Sequence, residues 1–132
     1  MSDWDLYKQT CFLMAQPLAP ELSFAVITAH NPQGDKVSET YNRLLDYRLQ
    51  QDIVRLNVPY RELWGSAPDL SHREKSWAVL AEKSIMLTLA RAYQQNAIYW
   101  VDANQLYLTP CLLKDQSEEH IGTFSQRVIV ST

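Results

Sequence analysis

The hydrophobic and polar positions along this chain switch between two periods, and the switches mark its elements. From Asp3, residues Trp4, Tyr7 and Cys11 recur at helical spacing, and residues 10–15 (TCFLMA) form an apolar run of strand length. This predicts a brief helical entry followed by a first strand. Pro17 and Pro20 cannot sit inside a paired strand, so residues 16–22 are a connector. Residues 24–29 (FAVITA) are apolar and partly β-branched, as in a central strand covered on both faces; His30, Asn31, Pro32, Gln33 and Gly34 end it.

The period then changes to that of a helix. Ser38 is an N-cap with Glu39 in the first turn, and the stripe Tyr41, Leu45, Leu49, Ile53, Leu56 predicts an amphipathic helix over residues 38 to about 57 that faces a sheet. Pro59 marks its end. Residues 60–65 (YRELWG) alternate, with Tyr60, Glu62 and Trp64 on one face and Arg61 and Leu63 on the other. Residues 66–73 are a loop by composition, and residues 76–81 (SWAVLA) a further strand. Ser84 caps a second helix with inner face Ile85, Met86, Leu89, Ala90 and Tyr93, closed by Gln94, Gln95 and Asn96. Residues 97–101 (AIYWV), the turn Asp102-Ala103-Asn104-Gln105 and residues 106–109 (LYLT) make a hairpin. Residues 114–126 are polar and weakly patterned, and residues 127–130 (RVIV) add an edge strand.

Between Phe24 and Val101 the order is strand, helix, strand, strand, helix, strand. It predicts an α+β, ferredoxin-like split β-α-β sandwich: a mostly antiparallel sheet, two main helices on one face and additional flanking strands. One domain is expected over residues 1–132, with 1–22 an N-terminal helix and strand extension, 23–113 the core and 114–132 a polar tail carrying the edge strand. In this topology the end of FAVITA, the 66–73 loop, the start of the first helix and the 94–96 turn share one edge of the sheet.

Composition narrows the classes of function. At 132 residues, 46% hydrophobic and 20% charged, the chain has the make-up of a folded globular protein. Its net charge of -3 gives no bulk attraction to nucleic acid or anionic lipid. No basic stretch followed by an apolar core opens the chain, and no window approaches the ~18 apolar residues of a membrane span, so the cytoplasm is the expected address. Cys11 and Cys111 lack C-x-x-C spacing and read as buried free thiols.

The shared edge gathers the candidate chemistry. Thr28, Asn31, Ser38, Asn42, Asp69, Gln95 and Asn96 are the ligand-binding candidates, with Ser76 beside them; His72, His30 and Glu74 are the candidates for catalysis. Such a mixture of donors, acceptors and imidazoles suits a small polar ligand, and it equally suits the tying down of loops. Asn31-Pro32 is first of all a turn former. The sharper alternative has the Gly34 loop and the first helix's free N–H groups binding an anion beside Arg43 or Arg73, without phosphate-loop spacing to support it. In an extended stretch His72 and Glu74 project to one face, and His30 or Asp69 would complete a metal site; one His-x-Glu pair does not specify a metal, and none is assigned. The sequence implies no particular cofactor. His120, in an acidic stretch, is a solvated residue. Trp64, Trp77, Tyr99 and Trp100 lie on strands, where base stacking is one use and core packing the more ordinary one.

The segments ITAHNP, then Ser38 and Asn42, then GSAPD-x-x-HRE-x-S and QNAIYW resemble the pattern of a bacterial family known as domain of unknown function 3293, over residues from about 24 to 108. The resemblance implies no reaction, cofactor or partner. It implies that Thr28, Asn31, Pro32, Ser38, Asn42, Asp69, His72, Glu74, Ser76, Gln95 and Asn96 match recurrent positions. The leading expectation is a cytosolic domain that binds a small polar or anionic ligand at the polar edge, whether as enzyme or as binding module. An interaction or homo-oligomeric assembly module using a sheet face or the RVIV edge comes second, and a weak nucleic-acid binder third.

Overall fold

The computed structural model describes residues 2–131. In chain order the elements are α1 (Asp3–Tyr7), β1 (Cys11–Met14), β2 (Ser23–Ile27), α2 (Glu39–Arg55), β3 (Tyr60–Ser66), β4 (Arg73–Val79), α3 (Lys83–Ala92), β5 (Ala97–Asp102), β6 (Gln105–Pro110), β7 (Glu119–Thr123) and β8 (Val128–Val130). Short 3₁₀ turns at Pro32–Gly34 and Ser125–Arg127 complete the path. The class is α+β, with three helices and one eight-stranded sheet ordered β7-β6-β5-β2-β4-β3-β1-β8. That sheet is larger than a split β-α-β unit alone. Its inner strands run β5-β2-β4-β3 with every adjacent pair antiparallel, and β1 with β8 is the parallel pair.

The side-chain period of two sorts β2 between two cores. Ala25 and Ile27 face α2 and α3, joining Leu45, Leu49, Ile53, Trp77, Val79, Met86, Ala90 and Ile98. Phe24 and Val26 face the other way, with Phe12, Met14, Leu63, Ala78, Val101, Leu106 and Phe124. The two long helices, α2 and α3, cover only the first face. The second is covered by the sheet itself: β1 and β5 are four strand steps apart, about 19 Å if the sheet were flat, yet the rings of Phe12 and Tyr99 lie 5.1 Å apart. The sheet therefore curls into an incomplete barrel. Arg127 fastens the seam, its guanidinium donating to the carbonyl oxygens of Lys8, Thr10 and Ile121.

Several expectations need correction. Tyr41 is 46% exposed and not part of the buried stripe of α2, which instead contains Asn42 and Asp46. Both polar residues are matched: Asp46 accepts from the Trp77 indole at 2.8 Å and pairs with Lys75 at 3.3 Å. Ser84 is not the cap of α3; Glu82 holds that position, and Ile85 is exposed. β4 begins at Arg73, earlier than the apolar run, because its ladder with β3 continues to the pair Ser66 and Arg73. The expected polar tail contributes β7 and β8 to the two sheet edges. β8 is only three residues long, which limits pairing through it. Cys11 and Cys111 are free thiols but half-buried, not buried. Ser38 does cap α2, accepting from the Tyr41 amide, and the hairpin turn holds Ala103 and Asn104 at positive φ as a two-residue primed turn requires. Among the described residues no helix is long and apolar enough to cross a membrane.

Candidate functional site

Curling leaves a cavity of about 490 Å³ in the concave face, beyond the second core. Its floor follows from strand alternation: Phe12 of β1, Val26 of β2, Tyr99 of β5 and Leu108 of β6 point inward, and Gly65 of β3 leaves room among them. Polar walls rise where the strands end. Thr28 and His30 continue β2 past its last pairing, His72 and Glu74 enter from the 66–73 loop and β4, and Gln95 and Asn96 come from the turn before β5. Tyr7 and Thr10 close the remaining side from the N-terminal segment.

Most of these groups are held by hydrogen bonds that cross between segments. Thr28 Oγ1 donates to the Lys75 carbonyl oxygen at 2.9 Å and accepts from the His30 amide at 3.1 Å. Gln95 Nε2 donates to the carbonyl oxygens of His30 and Tyr93, both at 3.2 Å, which fixes which end of the amide is nitrogen. Asn31 stands at φ 49, in the left-handed region that asparagine tolerates better than most residues. Its amide donates to Asn42 Oδ1 at 2.9 Å, while its own Oδ1 accepts from Asn42 Nδ2 at 3.0 Å and from the Val37 amide at 3.1 Å. Its Nδ2 reaches Glu74 Oε2 at 3.3 Å, and His72 Nε2 lies 2.9 Å from the same oxygen. A carboxylate oxygen only accepts, so Nε2 of His72 carries the proton in that contact. At the rim, a side chain on Gly34 would meet Asp3 Oδ2 at 2.9 Å and Asn96 Nδ2 at 3.1 Å, and its φ of +79° also favours glycine.

The titratable groups feel this partly enclosed setting. Burial holds the His30 imidazole below its ordinary value, although the carboxylates of Glu74 and Asp46 pull it upward and His72 and Lys75 push it further down. Burial raises the Tyr7 phenol; Asn96, donating to its oxygen at 3.1 Å, opposes this, and Asp3 and Glu74 add to it. Tyr99 is raised too, chiefly by burial, and its hydroxyl donates to the Tyr7 carbonyl oxygen at 2.6 Å.

Folding favours neutral His30, so its contribution is complete above the unfolded value near pH ~6.5 and is lost as pH falls through the lower folded value. Urea denaturation at pH 7.5 and at pH 5 should show wild type weakening towards acid more than His30→Gln does. Equal acid-side loss in both proteins would remove His30 as the cause.

The candidate residues divide. His30, His72, Glu74, Thr28, Asn31, Ser76, Gln95 and Asn96 line the cavity. Ser38, Asn42 and Asp69 do not: Ser38 caps α2, Asn42 is buried behind Asn31, and exposed Asp69 accepts from the amide and hydroxyl of Ser71. Asp69 is therefore not placed beside His72 and Glu74, and no group of three or more His, Cys, Asp or Glu among the described residues could hold a metal ion. Asp3, Tyr7, Thr10, Phe12, Lys36, Ser66 and Tyr99 line the cavity without having been singled out as site residues. His120 is exposed as expected, but its Nε2 lies 2.8 Å from Gln105 Oε1. Trp77 is buried, and Trp100 packs against the helix-covered core.

No curated protein and no solved structure matches the chain. A family model does, over residues 27–98, from the end of β2 into β5 and thus through the polar wall segments 28–31, 72–76 and 95–96, but not the N-terminal wall or the floor residues Phe12, Val26, Tyr99 and Leu108. That span is more than half of the chain, which accordingly belongs to the family described as Protein of unknown function (DUF3293).

Proposed function

We propose that the concave cavity binds a small polar organic ligand. The carrying observation is that polar side chains from four separate segments, residues 7–10, 28–31, 72–76 and 95–96, meet over an apolar floor in one cavity of about 490 Å³. Ligand sites commonly have roughly 300–1,000 Å³, an apolar lining and a few convergent polar groups. In this reading the inner unit β2-α2-β3-β4-α3-β5 is ferredoxin-like, an assignment supported by its strand order, and the flanking strands wrap round to enclose the site. His30 is the acid–base group: it is half-buried, faces the cavity, and bonds to other described residues through its backbone, leaving the imidazole to a ligand. His72, Glu74 and Asn31 form a hydrogen-bonded rim beside it.

Gly65 offers a clean test. Its φ lies outside the left-handed range, and a Cβ there would make ordinary contacts at 3.7 Å with Ser76 and Thr10, so a leucine side chain would grow into the cavity. A metabolite panel screened by thermal shift should contain compounds that raise the Tm of wild type and not that of Gly65→Leu. A panel in which every stabilising compound acts equally on both proteins would place binding elsewhere, and one without stabilising compounds would end the proposal.

A further inference from the structure

We propose, resting on the ligand-binding reading above, that the cavity's ligand is a cation rich in hydrogen-bond donors: a primary amine or a guanidine on a small apolar body. The anion reading entertained from sequence fares worse for two independent reasons. Charge is the first. Two carboxylates, Asp3 and Glu74, and one ammonium, Lys36, line the cavity. Glu74 is the inward one, its side chain 28% exposed, whereas Asp3 and Lys36 are both exposed at the rim, where water screens them and their opposite charges offset. Two imidazoles also line the wall: His72, 64% exposed and held on Glu74 Oε2, and His30, which burial keeps towards its neutral form.

Unused hydrogen-bonding capacity is the second reason. Gln95 is 6% exposed and lines the cavity; both hydrogen bonds of its side chain are made by Nε2, and Oε1 accepts none from any described residue. Asn96, 7% exposed, likewise uses Nδ2 on Tyr7 and leaves Oδ1 without a described donor. Glu74 accepts His72 and Asn31 on Oε2 alone, so Oε1 is free of described donors. None of these three oxygens is sealed from solvent, since the buried side-chain polar atom without a partner among the described residues is Thr123 Oγ1; each is an acceptor open to the cavity. A ligand bearing N–H groups replaces water at these acceptors. The floor of Phe12, Val26, Tyr99 and Leu108 suits an apolar body, and aromatic faces favour a cation near them.

The test sets phenethylamine and agmatine against 3-phenylpropionate, a carboxylate of matching size, each titrated into the full chain and followed by amide chemical shifts of cavity residues. Phenethylamine or agmatine should bind at least about tenfold more tightly than 3-phenylpropionate. Glu74→Gln should weaken the amine by about tenfold and leave the acid unchanged or improved, and Asp3→Asn, on an exposed first turn where refolding is not at issue, should weaken it about threefold. If 3-phenylpropionate binds as tightly as the amines and Gly65→Leu blocks it, the site stands and the cation assignment falls. The assignment also falls if Glu74→Gln and Asp3→Asn leave amine binding intact. If no probe shifts the cavity residues of wild type, the ligand-binding reading fails together with it.

Discussion

Phe12→Ala is expected to lower stability by about 3–5 kcal/mol, with a fall in Tm of about 10–15 °C. Phe12 is fully buried, and its ring meets Tyr99 edge-on at 5.1 Å and Phe124 at 5.0 Å. Those partners belong to the far side of the curled sheet, so this ring joins β1 to β5 and to the segment after β7. Truncation leaves a cavity bounded by several strands that are tied together by backbone ladders, and such a site cannot easily collapse. It also opens the floor of the ligand cavity, which Phe12 lines. Phe12→Leu keeps most of the volume and should cost no more than about 1–2 kcal/mol. Denaturant unfolding of the three proteins checks this, and a loss under about 1 kcal/mol for Phe12→Ala would mean that the curl is closed by something else.

Strand and helix periods carried the inner sheet and both main helices because those segments bury one face each, and burial writes itself into the sequence. β7 escaped for the converse reason: Glu119, His120 and Gly122 lie on an edge strand with no fully buried residue, so no apolar alternation is required there. Asn42 and Asp46 broke the expected stripe of α2. Their burial is acceptable only because Asn31 and Trp77 meet them, and pairs 11 and 31 residues apart leave no local trace. The same limit divides the candidate site. His30, Asn31, Glu74 and Gln95 were legible because strand ends and turns of a split β-α-β order gather at one edge. Tyr7, Thr10 and Tyr99 were not, since they reach the cavity only through the curl of the sheet, and curl is a property of the whole assembly. Ser38 and Asp69 show the opposite error: polar residues near the right edge whose oxygens are used by the neighbouring chain, one as a helix cap and one in a turn.

Asn42→Leu tests whether the reciprocal asparagine pair organises the rim. Leucine is close to asparagine in size and suits a helix better, so propensity alone would make the change harmless. In place, however, the Asn31 amide loses its acceptor at 2.9 Å, and Asn31 Oδ1 keeps only the Val37 amide of its two donors. Asn31 also occupies a left-handed conformation that needs such bonds to hold it. An amide left buried without a partner costs about 1–3 kcal/mol, and loss of the second bond adds about 1 kcal/mol, so a destabilisation of about 2–4 kcal/mol is expected. The damage should be local as well as global. Released from Asn42, Asn31 no longer holds its Nδ2 against Glu74 Oε2, and hydrogen exchange at the Asn31 and Val37 amides should rise more than exchange in β4. Asn42→Leu with wild-type stability and unchanged protection at those two amides would show that the loop is shaped by Pro32 and Gly34 alone, and that the rim beside Glu74 does not depend on α2.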